Sequence, residues 1–170
     1  MANWVIDAAH SEIGFKVKHL MINNVRGNFK TFSGEANTSG KDFKNAQVSF
    51  SAELSSIDTG NEQRDTHLKS ADFFNTEVNP QLKFVSTSFN GDKMEGDLTI
   101  GSITKPVKLD IDFGGTAKDP WGNEKAGFTV TGKINRKEWG LSWNAALEAG
   151  GVLVGEDVSL LAEVQLLKQA

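Results

Sequence analysis

The chain of 170 residues contains no cysteine. Disulfides, thiolate nucleophiles and cysteine-based metal sites are therefore excluded, and the redox compartment leaves no mark on the sequence. Long apolar runs are missing too, since no stretch approaches the roughly 20 residues that a membrane-spanning helix needs. The start, Met1-Ala2-Asn3-Trp4, lacks a basic segment followed by an apolar run. No secretory signal is expected from it, and a cytoplasmic location is the simplest expectation, or a periplasmic one if a signal was removed. Positive charge is in short supply: 18 Lys and Arg stand against 22 Asp and Glu, a formal charge of −4. That balance argues against nucleic-acid or anionic-membrane partners, which need a basic patch, although an average can hide a local one. Tyrosine is also absent, and nothing physical in the sequence accounts for that.

What is present is a globular composition, 38% hydrophobic and 24% charged, in a chain of one-domain length. No repeat, linker or low-complexity tract divides it, so residues 1–170 read as a single domain. The dominant pattern is period-2 alternation, which marks strands with one dry face and one wet face. Val107-Leu109-Ile111-Phe113 alternates with Lys108, Asp110 and Asp112, and Phe128-Val130-Gly132-Ile134 with Thr129, Thr131 and Lys133. Similar runs cover Val48–Leu54, Ile13–His19, Met94–Ile100 and Val158–Leu166, and the stretches Val25–Asn37 and Gln81–Asn90 also read as extended. About eight strands result.

Turn chemistry separates them. Asn90-Gly91-Asp92 is a hairpin signal, because glycine takes positive φ and Asn and Asp tolerate it. Gly114-Gly115 and Pro120-Trp121-Gly122-Asn123 mark a second connection, and Pro80 and Pro106 suit strand starts. Glycines 14, 27, 34, 96 and 132 fall inside strand patterns, where they signal the bulges and bends that barrel closure requires. Two segments break the alternation. Thr59 and Glu62 have capping-box spacing, which predicts a short helix in the 59–71 segment with Arg64, His67, Leu68 and Ala71 on one face. Trp139–Gly155 is a long connection that holds either a short helix over Trp143–Leu147 or only turns. Antiparallel strands of this number form a barrel or a sandwich. Their length favours an eight-stranded barrel, a size that either fills with side chains or holds one small ligand.

The candidates for chemistry are few. Histidines 10, 19 and 67 form no H-x-H or H-x-x-x-H pair, so neither a metal site nor a cofactor is expected. His10 reads as a turn residue bonded to neighbouring backbone. His19 continues the face of Phe15 and Val17 and falls at the barrel mouth. Arg64, Asp65 and His67 form the best polar constellation. They present either donors to a ligand's polar head, for which arginine's planar fork suits phosphate or carboxylate, or a buried network that fixes the helix. No G-x-S-x-G or other nucleophile signature accompanies them, so no catalytic residue is assigned.

Several segments resemble the YceI-like family: Trp4-Val5-Ile6-Asp7 with His10-Ser11-Glu12-Ile13-Gly14-Phe15; Val25-Arg26-Gly27-Asn28-Phe29 to Gly34; Arg64-Asp65-Thr66-His67-Leu68 to Asp72-Phe73-Phe74; Gly96-Asp97-Leu98-Thr99-Ile100 with Thr104-Lys105-Pro106-Val107; and Arg136 to Gly140. The match runs in order along nearly the whole chain. It implies a lipocalin-like barrel that binds a polyisoprenoid or a similar long amphiphile, such as a fatty-acyl chain, in an interior tunnel. The lining residues then expected are Phe15, Val17, Phe29, Phe50, Leu54, Phe84, Leu98, Phe128 and Trp143, with His19, Arg64, Asp65 and His67 towards the head group. Alternation alone implies only a dry interior, hollow or filled. At roughly 0.8 kcal/mol per buried CH₂, a long chain gains enough to bind with little polar recognition. The alternatives are an enzyme acting on a lipid head through His19, Asp65 and His67, and a structural protein that meets partners through a sheet edge or the Trp121 loop. Self-association as a homodimer stays open.

Overall fold

Period-2 segments become strands along most of the chain. The computed structural model describes residues 2–39, 42–144 and 154–169. The strands are β1 (Ala2–Ile6), β2 (Glu12–His19), β3 (Asn23–Phe29), β4 (Phe32–Thr38), β5 (Gln47–Glu53), β6 (Ile57–Asp58), β7 (Gln81–Phe89), β8 (Lys93–Ile100), β9 (Ile103–Lys118), β10 (Glu124–Asn135) and β11 (Val154–Lys168). One helix, α1 (Glu62–Lys69), joins β6 to β7.

These segments make a closed antiparallel barrel of eight strands, ordered β1-β4-β5-β7-β8-β9-β10-β11 and back to β1. The remaining three extend that ring. β11 pairs with β1 at its end (Ile6↔Leu166) and with β2 along its start (Ile13↔Ala162), so β1 and β2 are one strand broken by the 3₁₀ turn Ala8–His10. β3 and β4 are likewise one strand interrupted at residues 30–31, as the single extended stretch expected there implies. β5 and β6 are divided by the 3₁₀ turn Leu54–Ser56.

The meander gives the barrel two ends. At the upper end β2 finishes, β7, β9 and β11 begin, and α1 lies. At the lower end are the β4–β5 connection and the β7–β8 and β9–β10 turns. The Asn90 turn forms as its sequence predicts: Asn90 Oδ1 accepts from the N–H groups of Asp92 and Lys93, and Gly91 has φ +107°.

Other local expectations shift. Gly114-Gly115 is not a connection but a bulge within β9, opposite the register shift at Gly127/Phe128, with Gly115 at φ +110°. The turn itself lies at residues 119–123, where Asp119 accepts from the N–H groups of Trp121 and Asn123. Pro106 lies inside β9 rather than at its start, paired with Asp97 of β8. It is tolerated because β10 joins β9 only from Asp110 onward, so β9 is locally an edge there. The helix starts later than Thr59. Gly60 turns the chain at φ +80°, and Asn61 becomes the N-cap, its Oδ1 accepting from the Arg64 N–H at 3.0 Å. Ala71 lies beyond the helix and is exposed. Near the other break, Arg136–Trp139 forms a 3₁₀ turn and residues 140–144 have no regular structure. The helix expected over Trp143–Leu147 falls mostly outside the described residues.

Buried apolar side chains lie at both ends, and an aromatic group closes the lower one. Phe43, from the β4–β5 connection, packs tilted against Trp4 at 5.0 Å and edge-on against Phe128 at 4.9 Å between ring centroids, and Phe113 stacks on Phe128 at 5.0 Å. Aromatic pairs at these spacings contribute about 0.5–1.5 kcal/mol each beyond their burial. They plug the barrel floor. Near the upper end the buried Trp139 indole N–H donates to the Leu98 carbonyl at 2.9 Å, tying the 3₁₀ turn to β8.

Candidate functional site

Above the aromatic floor the barrel is hollow. The cavity has a volume of about 660 Å³, within the range of about 300–1,000 Å³ usual for small-molecule sites. Its lining on β11 runs from Val154 to Leu166, which at about 3.3 Å per residue and a tilt of about 40° gives a height of about 30 Å.

Glycines keep it open. Phe15 stands opposite Gly27 on the neighbouring strand, Phe50 opposite Gly34, and Phe84 next to Gly96. A Cβ on Gly27 would fall 2.5 Å from Phe15 Cζ, and one on Gly96 would fall 2.4 Å from Phe84 Cζ. Each ring thus occupies the space of a missing side chain and lies back over the wall instead of crossing the lumen. The in-strand glycines do more than bend the barrel: they make room for the inward aromatics. A phenylalanine facing a glycine across a hairpin is the sequence signal that would have shown this.

The structure brings eleven of the thirteen expected site residues to the cavity wall: Phe15, Val17, His19, Phe29, Phe50, Arg64, His67, Phe84, Leu98, Phe128 and Trp143. Phe128 also belongs to the floor. Leu54 does not line the cavity. The chain leaves β5 into the 3₁₀ turn at this residue, and its side chain is fully buried there, while its N–H donates to the Pro80 carbonyl. Asp65 does not line it either. Its Oδ1 accepts from the Thr59 N–H at 2.9 Å and from the Thr59 hydroxyl at 2.5 Å. The Arg64 guanidinium turns to the same residue, Nε donating to Thr59 Oγ1 and Nη2 to the Thr59 carbonyl, both at 2.7 Å. The polar constellation is therefore split. Arg64 and Asp65 brace the approach to α1, while His67 pairs through Nε2 with Asp72 at 2.8 Å and stacks edge-on against Trp143 at 4.6 Å. His10 bonds through Nδ1 to the Asp7 carboxylate at 2.8 Å, not to backbone through its ring. No cluster of three metal-ligating side chains occurs among the described residues.

Sequence reasoning missed Arg136 and Phe43. Arg136 is only 4% exposed, yet it borders the upper cavity. Its Nε donates to the Gly155 carbonyl at 2.8 Å, Nη1 to the carbonyls of Leu141 (2.5 Å) and Trp143 (2.9 Å), and Nη2 to that of Val154 (3.3 Å). Burial pushes its pKa below the ordinary arginine value, and the nearby Glu156 carboxylate opposes that shift. Its ring neighbour is Phe73, 6.0 Å from the guanidinium carbon. A charged residue directly after an apolar strand, followed by Trp139-Gly140, was the available clue.

The cavity is thus asymmetric. Lys18, His19, Asn61, Gln63, Arg64, His67 and Arg136 border its upper end, and apolar side chains dominate the rest. Such a space receives an elongated apolar chain with its polar end uppermost. No helix among the described residues is long and apolar enough to cross a membrane.

Known proteins share this architecture. A UPF0312 protein of Staphylococcus aureus strain USA300 is 42% identical over 166 residues, 97% of each chain. The crystal structure of a Campylobacter jejuni YceI protein superimposes with a TM-score of 0.73 at 33% identity, covering 96% of both chains. A polyisoprenoid-binding domain from Saccharophagus degradans has the same fold, with a TM-score of 0.69 over 98% of each chain, at 13% identity. The model of the YceI-like domain matches residues 4–166, and the chain belongs to that family.

Proposed function

We propose that the protein binds one long apolar chain, a polyisoprenoid or fatty-acyl-like amphiphile, in the barrel and carries or sequesters it. The observation that carries this reading is the roughly 660 Å³ apolar cavity with polar groups at its upper end. The tail descends past Phe15, Phe84 and Leu98 towards the Phe43–Phe128 floor. The head stays near His67, Trp143 and Arg136. Arg136 supports this orientation, because one N–H of its Nη2 has no acceptor among the described residues. An oxygen on the head group would satisfy it. The S. degradans domain, whose name states polyisoprenoid binding, lends the ligand class its support.

A binding role rather than catalysis is favoured by the split constellation: Asp65 holds Thr59 and His67 holds Asp72. The direct test is native mass spectrometry of gently purified protein, followed by incubation with geranylgeraniol, solanesol and oleic acid. A stoichiometric adduct is expected. Recovery of ligand-free protein only, with no uptake of any of these, would overturn the proposal.

A further inference from the structure

We propose that the β2–β3 hairpin tip docks the barrel mouth onto an anionic lipid bilayer. The turn is built against local preference. The Ile22 N–H donates to the His19 carbonyl at 3.2 Å, and the two central residues, Leu20 and Met21, have φ of +55° and +61°. Positive φ at both centres is the signature of a I′-type turn, where Asn-Gly is the favoured pair. Leu-Met is a poor choice for such a turn, because the left-handed region crowds any Cβ. Local rules are broken where function requires it. What this turn gains is display: Met21 is 55% and Ile22 78% exposed. Val78, 71% exposed, stands on the α1–β7 connection at the same end.

The outer face of the same hairpin is basic. Phe15, Val17 and His19 point to the cavity, so Lys16 points outward, as does Arg26 of β3, while the exposed Lys18 stands at the cavity rim. Lys16 and Arg26 are register partners, like charges opposed across two strands. That arrangement disfavours the hairpin by itself. Among the described residues, none of the three cations makes an ion pair or a side-chain hydrogen bond. The acids on neighbouring outward positions are engaged elsewhere or unpaired with these cations: Glu12 of β2 accepts from Asn28, Asp58 of β6 pairs with Lys30, and Asp157 of β11 forms no ion pair with them. A chain of net charge −4 thus concentrates three unpaired cations beneath an apolar tip. Apolar side chains flanked by cations are the composition that inserts into a headgroup layer and binds anionic lipid. The tip adjoins His19 and Lys18, which border the cavity mouth. Docking there would let a chain pass between bilayer and barrel without crossing water. That purpose, though not the docking itself, rests on the proposed binding of an apolar chain.

Vesicle co-sedimentation tests it. The full-length protein should bind phosphatidylcholine vesicles containing a third phosphatidylglycerol, and binding should fall steeply with salt. Replacing all three cations (Lys16→Gln, Lys18→Gln, Arg26→Gln) should weaken binding by roughly fivefold per charge. The decisive variant is Leu20→Asn with Met21→Gly. It gives the turn its preferred residues, so the fold is retained or stabilised, while apolar display is lost and binding drops at least tenfold. Equal binding by that variant would overturn the tip's role. An acidic protein partner in place of a bilayer predicts no sedimentation with these vesicles, which would overturn the proposal outright. Ala162→Trp, which obstructs the cavity far from the tip, should dock normally, so failure of chain binding and failure of docking are read separately.

Discussion

Ala162→Trp asks whether the barrel interior is truly a tunnel. Ala162 faces the cavity between Val130 of β10 and Ile13 of β2. It sits eight residues along β11 from Val154 and four from Leu166, roughly two-thirds of the way down. An indole there leaves the upper cavity open and denies the lower part to a ligand. If about five carbons, one isoprene unit, lose their burial, the cost at about 0.8 kcal/mol per CH₂ is about 4 kcal/mol. That corresponds to roughly a thousandfold in Kd for a long chain. A short chain that never reaches this depth should keep its affinity. Competition binding against a fluorescent fatty amphiphile, run with farnesol, geranylgeraniol and solanesol, reads the difference. Stability supplies an independent arm. Overpacking a filled core costs about 1–3 kcal/mol or more, whereas an indole entering a void costs little. Equal loss of affinity for short and long chains, or marked destabilisation of the ligand-free protein, would refute the reasoning.

The remaining predictions concern what holds the walls in place. Gly27→Ala meets the Phe15 ring, which can move, and the Thr59 methyl, which Asp65 and Arg64 hold in place, so the Phe15 ring should swing into the lumen and reduce uptake, with a loss in urea-unfolding stability. Gly96→Ala also meets the Val85 carbonyl at 2.6 Å, a backbone atom that cannot yield, and should cost about 1–3 kcal/mol in the same measurement. Trp139→Phe leaves the Leu98 carbonyl without its buried donor and should cost about 1–3 kcal/mol. Arg136→Met strips the carbonyls of Gly155, Leu141 and Trp143 of this donor, while that of Val154 keeps the Asn144 side chain, and should cost roughly 3 kcal/mol or more, with loss of affinity for carboxylate-headed ligands. The Asp7 carboxyl is held below its ordinary value first by the hydrogen bond from Lys125 and then by that from His10. A depressed carboxylate stabilises above its unfolded pKa and loses that contribution as pH falls through the folded value. Asp7→Asn should therefore lower the unfolding midpoint at pH 7, and the gap to the parent protein should close as acid protonates Asp7.

Strand positions were legible because each strand has one dry face, and alternation reports that directly. The count of eight was readable for related reasons: the break at residues 30–31 is too short to disturb the pattern, so that strand still looks continuous, and the two residues of β6 beyond Leu54–Ser56 are too few to show a pattern of their own. Positions governed by tertiary partners were not readable. Asn61 supplants Thr59 as the helix cap because Thr59 is engaged by Asp65 and Arg64. Leu54 keeps the alternation of β5, but the chain turns there and directs it into the core. Phe43 lies in a segment without periodicity, and its place on the barrel floor comes from contacts with Trp4 and Phe128 far away in sequence. Pro106 is tolerated within β9 only because β10 has not yet joined, a fact of register that no local window contains.

The features that mark function are those at which local rules fail. Glycine is a poor strand residue, yet at positions 27, 34 and 96 it faces or flanks a cavity-lining phenylalanine. A solid barrel gains nothing from these pairs, since a Cβ-bearing residue would fill the same space and stabilise the strand. A hollow one needs them, because an inward phenylalanine with nowhere to recline would project across the lumen. Arginine is a poor core residue, yet Arg136 is buried where the apolar wall gives way to the polar upper end. Leu-Met is a poor pair for a I′ turn, yet it occupies the tip beside the mouth. These departures have separate local costs and one spatial relation: each borders the cavity or its opening. A sequence shaped only for barrel stability has no reason to place its costs there. A sequence shaped to keep the interior open and present its mouth to a hydrophobic surface does.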